Sequence, residues 1–146
     1  MKKQPKDRLT SKDFWTEYWQ PVQSGGPPSG FVYLDEVLDV LPRHPGTSFL
    51  EIGCGPGGIL GDFCRRLGYE AHGIDLATDP KATESYLRAS GVAVGRIEEG
   101  DFLAWNPGRV YDVVTSFGFI SRNVSVGRQP DEQALSWWRR SSARLC

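Results

Sequence analysis

The sequence has no long hydrophobic run: nothing in its 146 residues approaches the roughly 20 consecutive apolar residues of a membrane-spanning helix. The opening MKKQPKDRLT is charged and has no apolar stretch behind it, so no secretory leader is expected. A charge excess of either sign is also lacking. With 17 Lys+Arg against 18 Asp+Glu and a net charge of −1, there is no broad basic surface to displace counterions from a polyanion, and nucleic acid is not expected as a partner. Cysteine is scarce and odd in number. Cys54, Cys64 and Cys146 show neither C-x-x-C nor Cys/His spacing, which excludes a metal site and a disulfide framework and leaves reduced, structural thiols. No internal repeat is present. These absences leave a cytoplasmic protein with a single main domain as the expectation.

What is there is an alternation of strand and helix. Phe14, Trp15, Tyr18 and Trp19 fall at helical spacings within SKDFWTEYWQ, predicting a short helix whose aromatic stripe caps a core, with a ligand lid as the alternative. PVQSGGPPSG is expected to break regular structure, and Ser29 to cap a helix from about Gly30 to Leu41. TSFLEI reads as a buried parallel strand and Ile59 to Leu67 as a helix stopped by Gly68. EAHGIDL is the second strand, followed by a helix that Asp79 caps and Pro80 opens, running to Ser90. A third strand around Val94 to Glu98 carries glycine and charge, as a sheet edge does, whereas Tyr111 to Ile120 is nearly continuous in strand formers. The cadence implies right-handed crossovers and helices on both faces of one sheet.

The chemistry is concentrated in FLEIGCGPGG, where a strand ends in a glycine turn and a helix begins. Glycines let a ligand approach the backbone closely, and a helix start presents unpaired amides. Gly53, Gly55 and Gly58 satisfy G-x-G-x-x-G, which by itself fits a nicotinamide or flavin dinucleotide equally well. Glu51 argues against that. A carboxylate two residues before the first glycine repels a pyrophosphate, but it favours the sulfonium and α-ammonium groups of S-adenosylmethionine.

Two further acids fall in register. Asp75 ends the second strand and is placed to accept hydrogen bonds from ribose hydroxyls, which NAD and S-adenosylmethionine share. Asp101 and Phe102 follow the third strand, where a carboxylate and an aromatic ring suit an adenine; a turn or capping role for Asp101 is the alternative.

With these residues in place, the sequence resembles a class I S-adenosylmethionine-dependent methyltransferase of the broad family that includes ubiquinone and menaquinone biosynthesis enzymes. EIGCGPGG resembles the family's first motif, Asp75 its ribose acid, GDF its adenine-side motif and YDVVTSFGFI its fourth-strand motif, over roughly residues 30–120. The resemblance implies an α/β, three-layer Rossmann-like fold with parallel strands in the order 3-2-1-4 and flanking helices. It implies S-adenosyl-L-methionine as cofactor and a small molecule as methyl acceptor. Carried over by position, Gly53 and Gly55 line the methionine part with Gly57 in the same turn, and Glu51 supports them. Leu76 flanks the adenine or ribose, Asp101 and Phe102 meet the adenine, and Phe117 lies near the sulfonium. No catalytic residue is assigned: His44 and His72 receive no role, and Asp112 is expected to be structural. A nicotinamide-dependent oxidoreductase and a non-catalytic binding fragment stay open as alternatives.

Three segments follow: a helical and linker region at 1–29, the binding domain at 30–120 and an atypical tail at 121–146. The family's sheet has seven strands, and the 26 residues after Ile120 do not resemble a fifth. The expectation is a chain that ends early, without strands five to seven, or whose last segment is read in an altered frame. The exposed edge of strand four would then favour self-association; the alternative is a cover formed by a helix bearing Trp137 and Trp138.

Overall fold

The computed structural model describes residues 11–25 and 34–117, and the expectations for Ser29 and for the tail fall outside them. The elements in chain order are α1 (Lys12–Gly25), α2 (Leu34–Val40), β1 (Ser48–Ile52), α3 (Gly58–Leu67), β2 (Glu70–Asp75), α4 (Pro80–Ala89), β3 (Ala93–Glu99), a 3-10 turn (Phe102–Ala104) and β4 (Val113–Thr115).

The four strands form one parallel sheet in the order β3-β2-β1-β4. This is the expected order. The chain steps outward from β1 to β3 and then returns to the other side of β1, placing the topological switch between β1 and β4. Local signals explain the boundaries. Asp79 caps α4 by accepting from the amides of Lys81 and Ala82, with Pro80 in the first turn. Gly68 ends α3 in the left-handed conformation at φ 69°.

Burial divides the sheet into two faces. Phe49, Ala71 and Val113 join Leu60 and Phe63 of α3 and Leu87 of α4 in the larger cluster. Leu50, Ile52, Ile74 and Tyr111 form the smaller one, covered by Phe102 and Trp105. Both crossover helices therefore lie on one face, because two crossovers of the same hand in the same direction stay on the same side. Among the described residues, the 3-10 segment takes the other side.

Two expectations need correction. PVQSG does not break the first helix, since α1 continues through Pro21 to Gly25. The fixed φ of proline is itself helical, so the cost is one lost hydrogen bond and local crowding. The fourth strand pairs over Val113–Thr115 only, not from Tyr111. Tyr111 is buried in the smaller cluster, and the Asp112 carboxylate accepts from the Ser48 amide at 2.8 Å and hydroxyl at 2.7 Å, pinning the start of β4 to β1. That is a structural role for Asp112. No helix among the described residues is long and apolar enough to cross a membrane.

Candidate functional site

The carboxyl ends of β1 and β2 converge on the glycine turn. Glu51 lies in β1, 1% exposed, on the sheet face that carries α3. Burial, and then the charge of Asp75, hold its carboxyl well above the usual carboxylate range, with the Leu60 amide of the first turn of α3 partly offsetting them. Its Oε2 atom is buried without a hydrogen-bond partner among the described residues. A carboxylate thus already faces the start of α3, where a dinucleotide would place its pyrophosphate.

The amides of the turn are also engaged. Gly53 N and Cys54 N donate to the Ile74 carbonyl at 2.8 and 3.3 Å, and Gly57 N donates to Cys54 O at 3.0 Å. Gly55 N donates to Asp75 Oδ2 at 3.0 Å, while Asp75 Oδ1 accepts from Ala77 N at 2.8 Å. Asp75 is therefore aimed at the turn. Burial raises its pKa, and the amides of Ala77 and Gly55 work against that rise. Each oxygen retains acceptor capacity for a hydroxyl donor.

Gly53 and Gly55 have φ of 79° and 50°, which a side chain would strain. Gly57 is turned toward α4: an added Cβ there would lie 3.0 Å from Thr83 Cγ2, so this glycine admits helix–helix contact. Leu76 is half-buried just after β2. Gly100 N donates to the Asp75 carbonyl at 2.9 Å, tying the Asp101 segment to the end of β2. Asp101 Oδ1 accepts from Leu103 N at 3.0 Å and caps the 3-10 turn, the alternative role weighed from sequence. Phe102 packs on the smaller cluster, its ring 6.5 Å from Trp105. Phe117 stacks on Phe63 at 5.4 Å beyond β4. The structure thus brings Glu51, Gly53, Gly55 and Asp75 together, with Leu76 and Asp101 adjoining and Phe117 across the switch point.

One neighbour was missed. Trp19 of α1 lies directly on Gly55: a Cβ added to that glycine would fall 2.7 Å from Trp19 Cζ2. The aromatic residues do not form a core-capping stripe, as none of Phe14, Trp15, Tyr18 and Trp19 belongs to either buried cluster. They form two rows. Trp15 and Trp19 stack at 6.0 Å, while Phe14 and Tyr18 stack at 6.1 Å and are 46% and 52% exposed. The two i, i+4 pairs in the sequence carry this division. Lys12, at the other end of the helix, pairs with Glu99 at the end of β3.

No family model matches the chain. It is similar to the ubiquinone biosynthesis O-methyltransferase of Burkholderia thailandensis, 40% identical over 81 residues that cover 53% of this chain and 34% of that protein. In structure it is similar to a SAM-dependent methyltransferase of Thiobacillus denitrificans solved with S-adenosyl-L-homocysteine. The TM-score is 0.54 at 24% identity, over 76% of this chain and 44% of that one. YjhP of E. coli gives a TM-score of 0.62 at 20% identity, over 85% and 50%. The chain spans about a third of the length of the curated relatives it matches. Its parallel sheet in the order β3-β2-β1-β4, with flanking helices, has the Rossmann-like fold of the Thiobacillus denitrificans structure.

Proposed function

We propose that this chain carries the S-adenosylmethionine site of a methyltransferase acting on a small-molecule acceptor, with Glu51, Gly53, Gly55 and Asp75 at its centre. One observation carries the reading: a buried carboxylate with an unpartnered oxygen stands at the start of α3, beside a turn whose amides are already engaged. Such a site disfavours a phosphate and suits a cation. The ubiquinone O-methyltransferase relatives support the same reaction class and a small-molecule acceptor.

The residues fit the cofactor. Glu51 offsets positive charge, Gly53 allows close approach of the backbone, Gly55 leaves room for the Trp19 ring over the turn, and Asp75 accepts from ribose hydroxyls. Leu76, Asp101 and Phe102 flank the adenine side, and Phe117 closes the far wall beyond β4. When bound, S-adenosylmethionine supplies a methyl group on a sulfonium, a good leaving group for in-line displacement. The chain's own contribution is alignment and the exclusion of water, which requires no nucleophile among these side chains.

Calorimetric titration tests this against the oxidoreductase alternative. S-adenosylmethionine and S-adenosylhomocysteine are expected to give binding heat that Asp75→Ala weakens, and NAD none. Heat from NAD alone overturns the reading.

A further inference from the structure

Ligand recognition at this site needs more than carboxylates. Glu51 and Asp75 are acceptors, suited to ammonium and hydroxyl groups, and neither can hold an anion. S-adenosylmethionine and S-adenosylhomocysteine each also carry an α-carboxylate. The amides of Gly53, Cys54, Gly55, Gly57 and Ala77 are engaged by Ile74, Asp75 and Cys54, so the turn itself offers that carboxylate little. A donor stands nearby. The indole of Trp19 covers Gly55, and its Nε1 is buried with no hydrogen-bond partner among the described residues. An indole N–H can only donate, and a buried one without an acceptor is costly. No described side chain of its helix belongs to either core cluster.

We propose that Trp19 is a cofactor-binding residue whose Nε1–H donates a hydrogen bond to the α-carboxylate of the bound ligand, while its ring roofs the glycine turn at Gly55. This rests on the S-adenosylmethionine reading above and adds to it the residue that recognises the ligand's anionic end. Trp19→Phe keeps an aromatic ring over Gly55 and removes the donor. Methylthioadenosine keeps the nucleoside and the sulfur and lacks the amino-acid end.

The experiment measures the Kd of both compounds for the full chain and for Trp19→Phe by calorimetry, with circular dichroism and thermal unfolding confirming that the variant stays folded. Loss of one hydrogen bond to a charged group is expected to raise the Kd for S-adenosylhomocysteine roughly tenfold, with that for methylthioadenosine within about twofold of wild type. Unchanged binding of S-adenosylhomocysteine by Trp19→Phe, or equal weakening of both compounds, overturns the proposal while leaving the cofactor reading intact. A wild-type chain that binds neither compound overturns the cofactor reading, and the role of Trp19 with it.

Discussion

In the proposed site, Glu51 is a residue whose burial works against folding. Burial, and then Asp75, raise its pKa in the folded chain, so its contribution to stability is full below the ordinary value of 4.5 and is lost as pH rises through the folded value. Glutamine keeps the shape without the charge. Glu51→Gln is therefore expected to raise stability at about pH 8 by about 1 kcal/mol, roughly 3–5 °C in Tm, with the gain shrinking toward about pH 5. On the proposed reading the same change removes a charge-assisted contact and should weaken S-adenosylmethionine about ten- to a hundredfold. Thermal unfolding at the two pH values, with calorimetry on the same samples, checks both. Equal Tm and equal affinity would remove Glu51 from the site.

At the scale of elements, the pairing of β2 with β3 depends on one glycine. The register slips between Ala71 and Gly73, and buried His72 fills the position that a Cβ on Gly95 would need. Its Nδ1 accepts from Arg96 N at 3.1 Å, so the ring replaces a ladder bond at the irregularity. Gly95→Ala should cost about 2–3 kcal/mol, and less than about 1 kcal/mol when introduced into a His72→Ala background; a denaturant double-mutant cycle reads the difference. This coupling was not legible in the sequence, because the glycine of the third strand reads simply as a mark of a sheet edge and His72 receives no role. The local signals were legible. Strand, glycine turn, helix, the Asp79 cap and the Gly68 stop are set by neighbours in the chain, and they carried the alternation and the register of Glu51, Gly55 and Asp75, while the sheet order came from the family resemblance. What escaped was set at a distance: the contact of Trp19 with Gly55, the diversion of Tyr111 into the smaller cluster, and the tie between Asp112 and Ser48.

For the whole molecule, the two faces of the sheet carry opposite pH dependences. Burial is the main cause lowering the pKa of His72, with Arg109 and Arg96 adding to it and Glu70 opposing. Tyr111 packs against the ring, with centroids 5.0 Å apart. Because the folded value lies below the ordinary 6.5, the unfolded chain holds more protons in the window between them, and His72 makes stability rise with pH there. Protonation would also displace the Arg96 amide from Nδ1 and loosen the edge of the sheet. Glu51 and Asp75 do the reverse: their raised values mean that the folded chain holds more protons above 4.5 and 3.8, so they make stability fall with pH. Between about pH 5 and 7 the slopes partly cancel, each group contributing at most about 1.4 kcal/mol per pH unit. Removing one side exposes the other. His72→Gln should leave stability that declines as pH rises across this range, and Glu51→Gln stability that climbs, with wild type flatter than either. Urea unfolding at intervals across the range measures all three curves. A His72→Gln curve parallel to wild type would mean that the ring is not held neutral in the folded chain, and the account of the β2–β3 edge would have to be abandoned.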